Sequence, residues 1–386
     1  MRKIFWLIIV ACTVRIVLIF IMNDSLKLGG DEMRNYQIAL NHVNGFGYSL
    51  LQNGEYIPTA FHSSFAVLLY EALILLHVSK DFVTLLIWIL SLLLYAVSIQ
   101  YFYRLTELFL TPHRFTATVT YCFYPSVIYF IGSISLYENI VLPLLVLNFS
   151  FLLTDTHKKF IIVSSVLSCL VRPNILPVYV LLFLVHAFHK KKLHVPVYAF
   201  LLFVLLNIPV LIKNKNTFGS YFLSTQGGFE FLQGHSPVAR GSWTAIWARE
   251  ESPLYQYAHA NIPGIDTMNE FRESQARKNL AWKWIKENPL GELKLAVRKV
   301  LIYFAPFNLK DLWGCDIFNP VNFLVHLFFL LWLLTAARSY PNLMLLAPAA
   351  ASIITSLIFF VGYRWRFYAE PFMIIAAFSF LKRFSR

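Results

Sequence analysis

Two neighbouring carboxylates, Asp31 and Glu32, directly follow the first apolar segment of the chain. A carboxylate can take a proton from a hydroxyl nucleophile, and residues one apart on a helix point about 100° away from each other. We therefore predict different roles, with Asp31 as a general base and Glu32 as the group that orients an acceptor or assists a cation. A structural role fits as well, because Asp31 stands where a helix N-cap would stand.

Three arginines provide the complementary charge. Arg172 precedes a proline at the turn between two short apolar segments, and Arg364 and Arg366 lie between the last two apolar segments. The planar guanidinium group matches the oxygen geometry of a phosphate, so these side chains are predicted to bind one. For each arginine the alternative is a side chain that reaches lipid phosphates or pairs with a loop carboxylate.

Glu138 and His62 are further candidates. Glu138 lies at the end of a predicted span, where a carboxylate facing lipid is costly, so we expect it to face the interior of the bundle. There it either makes a structural hydrogen bond or contacts the acceptor or a cation. His62 is the weaker candidate, in a segment predicted to lie in the membrane interface. The four cysteines form no C-x-x-C or Cys/His pattern, so neither a zinc site nor a disulfide framework is predicted.

The composition decides the class of protein. Of the 386 residues, 58% are apolar and only 14% are charged, against about 25% charged residues in a typical soluble domain. The mean hydropathy is +0.60. These values exclude a soluble enzyme and predict an all-α polytopic membrane protein. The net charge of +13 is typical of membrane proteins with basic cytoplasmic loops, and no basic run interleaved with aromatic residues suggests nucleic-acid binding.

The apolar segments predict about ten spanning helices, at 4–22, 81–103, 115–132, 137–154, 160–171, 174–188, 194–212, 321–337, 341–361 and 367–381. The segment 59–78 is ambiguous, because it is apolar yet carries several polar residues. If it lies in the interface, all the short basic loops fall on one side, as the positive-inside rule favours. We therefore predict an interfacial helix there and cytoplasmic termini.

This topology divides the chain into three parts. An N-terminal transmembrane module covers 1–212 and includes a first external loop at about 23–80. A second external loop covers 213–320, and C-terminal transmembrane helices cover 321–386. In the second loop we expect a helix over 266–287 and an amphipathic helix over 290–304 that lies on the membrane, because Leu290, Leu293, Val297 and Leu301 share one face.

The order of several short motifs resembles the GT-C class of membrane glycosyltransferases, which use polyprenyl-phosphate sugars. The protein O-mannosyltransferases and the lipid A aminoarabinose transferases are the families it suggests. The acidic pair after the first span is matched by Asp31 and Glu32, and the Tyr and Ala that follow on the same helix by Tyr36 and Ala39. Gly45-Phe46-Gly47-Tyr48 is similar to the family's G-x-G-Y turn.

Later motifs extend the resemblance over nearly the whole chain. Leu170-Val171-Arg172-Pro173 is similar to the family's Arg-Pro turn, and Arg364-x-Arg366-x-Tyr368-x-x-Pro371 to its closing Arg-Tyr-Pro segment. Pro209 with Lys213-Asn214 resembles its Pro…Arg-Asn exit, with Lys in place of Arg. The segment 58–65 keeps the position at which the family's interfacial helix opens, but lacks the basic residue and prolines usual there.

The resemblance implies a GT-C-like bundle with interfacial helices in both external loops. It implies transfer of a sugar from a polyprenyl-phosphate donor to a glycan, lipid or protein acceptor, with inversion, at the external face of a bacterial cytoplasmic (inner) membrane. No cofactor is required, and a divalent cation is an optional addition. The residues it assigns are Asp31 and Glu32 to catalysis; Arg172, Arg364, Arg366, Tyr368 and His62 to the donor phosphate; and Glu138 and Tyr36 to the acceptor or a cation.

Two other classes of protein stay open. A lipid or oligosaccharide transporter or flippase would be expected to show internal repeats and polar residues at mid-bilayer, and neither is evident. A polysaccharide polymerase or ligase would depend on arginines in its large external loop, without an acidic pair after the first span. The arrangement that favours the glycosyltransferase is Asp31, Arg172 and Arg364 around one external cavity.

Overall fold

The computed structural model describes residues 2–22, 30–52, 54–61, 64–110, 112–132, 137–242, 251–306 and 319–384. Within these residues the chain is mainly α-helical, as predicted, and the strands form a single antiparallel hairpin. The first half of the chain contains α1 (Arg2–Met22), α2 (Gly30–Val43), β1 (Ser49–Gln52), β2 (Glu55–Pro58), α3 (Ser64–Leu75), α4 (Lys80–Phe109), α5 (Arg114–Cys122), α6 (Pro125–Gly132), α7 (Glu138–Thr154), α8 (Lys158–Val171) and α9 (Leu176–Lys190).

The second half is also helical. Short 3₁₀ turns occur at Pro173–Ile175, Ile265–Thr267 and Lys382–Phe384. The helices are α10 (His194–Phe218), α11 (Gln226–Gly234), α12 (Pro253–Asn261), α13 (Glu270–Glu287), α14 (Pro289–Phe304), α15 (Pro320–Thr335), α16 (Tyr340–Ile358), α17 (Tyr363–Arg366) and α18 (Glu370–Leu381).

Among the described residues, four helices are long and apolar enough to cross a membrane: α1, α4, α10 and α16. Three further helices, α3, α7 and α15, are apolar but shorter. Large apolar side chains on the outer faces are exposed, for example Phe20 at 66% and Leu334 at 84%. In water such surfaces would be costly, so these are the helices of a membrane protein.

Several predicted elements have different bounds. The segment predicted as one span at 115–132 is two helices, α5 and α6, because Pro125 has no backbone N–H and restricts the residue before it. The predicted interfacial helix at 59–78 is shorter, since α3 begins at Ser64 after strand β2. Helix α13 begins at Glu270, where the Asn269 side chain accepts a hydrogen bond from the backbone N–H of Arg272.

The main core lies among α4, α7, α8, α9, α15, α16 and α18. Helix α18 lies at its centre, because the five consecutive residues from Phe372 to Ala376 are all fully buried. The helix therefore has no exposed face along this stretch. A helix that is apolar on all sides packs against neighbours on all sides. Helix α1 is joined to α4 by a buried hydrogen bond of 2.6 Å from Arg15 Nη2 to Ser91 Oγ.

The two long loops, the first at about 23–80 and the second at 213–320, are joined through one carboxylate. The Glu270 carboxylate, at the start of α13, accepts hydrogen bonds from Thr59 Oγ1 (2.6 Å), the Ala60 backbone N–H (2.8 Å) and Thr225 Oγ1 (2.5 Å). Because Thr59 belongs to the first loop and Thr225 to the second, one carboxylate fixes both to the same helix. In α14, Leu290 and Leu293 are exposed while Lys299 is buried, so the apolar face of this helix points outward.

Helix α11 is held against its neighbours at two glycines. A Cβ atom added at Gly228 would overlap the backbone of Ser274 in α13, and one added at Gly234 would overlap the carbonyl group of Phe359, just after α16. Gly227 is different, since an added Cβ there meets no atom within 4 Å. The close approach of α11 to both elements therefore requires residues without a side chain at Gly228 and Gly234.

We predict that Gly234→Ala destabilises the protein by about 1–3 kcal/mol, because the methyl group must displace α11 from Phe359. The measurement is thermal unfolding in detergent. Gly227→Ala is the matched control, and alanine in a helix should leave stability unchanged or raise it by up to about 1 kcal/mol. Equal unfolding temperatures for the two variants would contradict the packing described for α11.

Candidate active site

The acidic pair lies in the first turn of α2. The helix begins at Gly30, so Asp31 lies inside it. The N-cap position considered for Asp31 from the sequence is therefore wrong. The two side chains point in different directions, as the helical spacing predicts. The Asp31 side chain is 32% exposed and the Glu32 side chain 2% exposed. Asp31 therefore faces an accessible surface and Glu32 the interior.

Arg172 lies where α8 ends, before the 3₁₀ turn that leads into α9. Its Nη2 donates a hydrogen bond of 3.2 Å to Oε2 of Glu138, the first residue of α7. The same guanidinium lies 3.5 Å from Asp31 Oδ2 and 3.7 Å from Glu32 Oε1. One cation is thus surrounded by three carboxylates from two helices. Glu138 faces the interior of the bundle, where it was expected.

Arg364 completes the cluster from the other end of the chain. Its Nη1 donates a hydrogen bond of 3.0 Å to Asp31 Oδ2, across 333 positions of sequence. Arg172 and Arg364 therefore approach the same carboxylate oxygen. The structure brings together Asp31, Glu32, Glu138, Arg172 and Arg364, and we call this group the Arg172 cluster.

Burial and charge act differently on the members of this cluster. Burial raises the pKa of Glu32 from its usual 4.5 to about 8, although Arg172 opposes this effect. Burial alone would lower the pKa of the Arg172 guanidinium, but Glu138, Asp31 and Glu32 raise it above its usual value. At neutral pH Glu32 consequently holds a proton. Two guanidiniums then face the remaining two carboxylates, and the cluster is close to neutral.

Glu230 is a carboxylate with a shifted pKa that the sequence did not indicate. It lies on α11, within the segment 213–320, where burial raises its pKa to about 7 and the charges of Asp31, Arg172 and Arg364 make smaller contributions. Gln226, one turn earlier, donates a hydrogen bond of 2.7 Å to its Oε1. No local signal marks Glu230 in the sequence, since its role depends on how α11 packs.

Arg366 has partners other than those predicted. Its Nε donates to Glu370 Oε1 at 2.9 Å, and its Nη1 donates to the carbonyl oxygen of Tyr303 at 2.9 Å. Its side chain is 2% exposed. Arg366 thus joins α17 to α18 and α14, and we do not retain it as a phosphate-binding residue. Tyr368, by contrast, is buried beside the cluster, near enough to Glu138, Arg172 and Arg364 to interact electrostatically.

The remaining predicted residues lie elsewhere. Tyr36 packs edge-on against Tyr70 at 5.9 Å between α2 and α3, which indicates a packing role. His62 lies outside the described residues. The turn at 45–48 forms a separate group, in which the Tyr48 hydroxyl donates to Glu71 at 2.9 Å and Lys213 Nζ lies 4.3 Å from the Tyr48 ring centre.

Several buried polar atoms of the site lack a hydrogen-bond partner among the described residues. They are both carboxylate oxygens of Glu32, Oε1 of Glu138, Nε of Arg172 and Oδ1 of Asn35. Buried polar atoms are rarely left unpaired, and ordered water or an ion commonly supplies the missing partner. The interior of the cluster is therefore suited to polar ligands.

Comparison with known proteins identifies no relative: no protein-family model, no curated protein and no solved structure matches the chain.

We predict that Glu32→Gln stabilises the protein increasingly as the pH rises from about 5 to about 8. Over this range the folded state holds a proton on Glu32 that the unfolded state has lost, so the wild-type carboxyl group lowers stability as the pH rises. A glutamine amide avoids this loss. The measurement is the unfolding temperature in detergent at several pH values.

The matched control for this experiment is Glu287→Gln, which removes an exposed carboxylate at the end of α13. It should show no such trend relative to wild type. A constant difference between Glu32→Gln and wild type from pH 5 to pH 8 would contradict the raised pKa of Glu32.

Proposed function

We propose that the chain is an integral-membrane glycosyltransferase that moves a sugar from a polyprenyl-phosphate donor to a glycan, lipid or protein acceptor. The observation that carries this proposal is the meeting of Asp31 with Arg172 and Arg364 at 3.5 and 3.0 Å. A candidate base and two groups suited to phosphate thereby occupy one site. A GT-C-like bundle of about ten spanning helices, with cytoplasmic termini and an external site, is the topology we propose for it.

The chemistry follows from these three residues. An acceptor hydroxyl attacks the anomeric carbon, and the bond from that carbon to the phosphate oxygen breaks with its electron pair on oxygen. The phosphate changes from a singly charged diester to a doubly charged monoester, and Arg172 and Arg364 stabilise the added charge. Asp31 takes the hydroxyl proton. Because the displacement is a single step, the anomeric configuration inverts.

An apolar groove supports a lipid-linked donor. It has a volume of about 360 Å³ and lies between α8, α9 and α10, with Leu176, Phe183 and Leu193 among the side chains that line it. Leu176 is four residues after Arg172, and Leu193 follows the far end of α9. A donor whose phosphate is bound at Arg172 can therefore lay its prenyl chain along α9.

We predict that Asp31→Asn lowers the rate of transfer by about 10²- to 10⁴-fold, because the amide cannot take a proton. The assay uses purified protein in detergent or nanodiscs with labelled polyprenyl-phosphate sugar. Donor binding should be retained, since both arginines are present. Asp266→Asn, an exposed aspartate of the second loop, is the control. Normal turnover in Asp31→Asn would remove Asp31 from the mechanism.

We predict that Arg364→Gln raises the KM for the donor about 10- to 100-fold, the usual effect of losing a charge-assisted hydrogen bond. The readouts are KM and the Kd for the polyprenyl phosphate without the sugar. Arg338→Gln, which alters an exposed arginine before α16, should leave both constants unchanged. If Arg364→Gln also left both unchanged, Arg364 would have no part in donor binding.

A further inference from the structure

The backbone on both sides of Arg364 is held by the second long loop. We call residues 357–366 the Arg364 segment, which runs from the last two residues of α16 to the end of α17. The backbone N–H of Val361 donates a hydrogen bond of 2.8 Å to the carbonyl oxygen of Gly241. On the other side of Arg364, the Arg366 side chain bonds to α14. The loop therefore sets where this segment lies.

His235, which follows α11, is directed at the start of the Arg364 segment. Its Nε2 donates a hydrogen bond of 2.6 Å to the backbone carbonyl oxygen of Ile358, a group that can only accept. Its Nδ1 lies 2.8 Å from Oε1 of Glu292 on α14. A carboxylate at one ring nitrogen fixes the direction of the other. The imidazole is 6% exposed, so its contacts are with the protein.

Lys299 supplies a second anchor from α14. Its side chain is buried, and Nζ donates a hydrogen bond of 2.8 Å to the carbonyl oxygen of Leu357. Leu357 and Ile358 are the last two residues of α16, where carbonyl groups have no partner within the helix. His235 and Lys299 therefore cap this end of α16, and the negative end of the helix dipole favours a positive charge there.

Arg364 extends from this anchored backbone towards the site. Its side chain is 43% exposed, and it donates a hydrogen bond of 3.0 Å to Asp31. A binding side chain on a surface needs a fixed backbone to keep its geometry. A misplacement of about 1 Å can cost a catalytic site about 10²-fold in rate. The contacts that fix the Arg364 segment therefore bear on the site itself.

We propose that His235 and Lys299 are positioning residues, which hold the Arg364 segment where Arg364 meets Asp31 and the donor phosphate. This inference rests on the proposed glycosyltransferase activity. Both side chains are buried, so they act through the backbone that carries Arg364. Loss of either anchor lets this backbone shift and weakens binding of the phosphate.

The test measures the donor KM and the Kd for polyprenyl phosphate in two variants of one residue. His235→Leu removes the N–H that bonds to Ile358, and both constants should rise about 3- to 10-fold, the effect of one lost hydrogen bond. His235→Gln keeps a side-chain N–H and should stay within about twofold of wild type. His259→Leu is the matched control, because His259 also pairs with a carboxylate of the second long loop, that of Asp266 at 3.0 Å. It should match wild type.

A double-mutant cycle separates positioning from a general loss of stability. If His235 acts through Arg364, adding His235→Leu to Arg364→Gln should change the donor KM by less than about twofold. An effect as large as in the wild-type background would overturn the inference. So would transfer by wild type together with unchanged constants in His235→Leu. Both of these outcomes leave the glycosyltransferase proposal intact.

A second measurement needs no activity. Hydrogen–deuterium exchange of peptides that cover 359–366 should be about 2- to 10-fold faster in His235→Leu and in Lys299→Met than in wild type, because local opening becomes easier. It should be unchanged in His259→Leu. Equal exchange in His235→Leu and wild type would overturn the inference. If wild type transfers sugar from no polyprenyl-phosphate donor, the proposed function fails, and the role of His235 and Lys299 in donor binding fails with it.

Discussion

Arg172 places a positive charge in a largely buried position, with 14% of its side chain exposed, and a charge removed from water is tolerated only when it is paired. Its charged partners are the carboxylates of Glu138 and Asp31, and the protonated carboxyl group of Glu32 lies beside them. Removing one member of such a buried group typically costs about 3–5 kcal/mol. The ends of α2, α7 and α8 are therefore constrained to meet around one guanidinium, and this requirement builds the floor of the site.

The same constraint separates the roles of the carboxylates. Asp31 is partly exposed and lies between two guanidiniums, whereas Glu32, its neighbour in the chain, is buried without a hydrogen-bond partner among the described residues. Environment, more than residue type, sets which carboxyl group stays charged and which holds a proton. Two neighbouring carboxyl groups of one helix can therefore differ in charge at neutral pH.

Arg364 and Arg366 show how side-chain direction gives two nearby arginines different surroundings. They are two residues apart on the single turn of α17, so their side chains point in roughly opposite directions, about 200° apart. The Arg364 side chain is 43% exposed and meets Asp31, while that of Arg366 is 2% exposed and meets Glu370. The buried pair fixes α17 on α18, and the exposed arginine is thereby presented to the site. The resemblance of the motif to a known family treats both arginines alike, and only the packing distinguishes them.

The sequence by itself determined the features that depend on local pattern. Apolar runs indicated the membrane helices, and the 100° separation of adjacent residues on a helix indicated that Asp31 and Glu32 point in different directions. Local pattern can also be overlooked, as for the hairpin of β1 and β2, although an Asn-Gly pair at 53–54 is typical of such turns. Only the tertiary structure decided that Asp31 meets Arg364 across 333 positions and that Arg172 meets Asp31 and Glu138. Such meetings depend on the packing of distant helices, and neither hydropathy nor helical periodicity encodes which helices become neighbours.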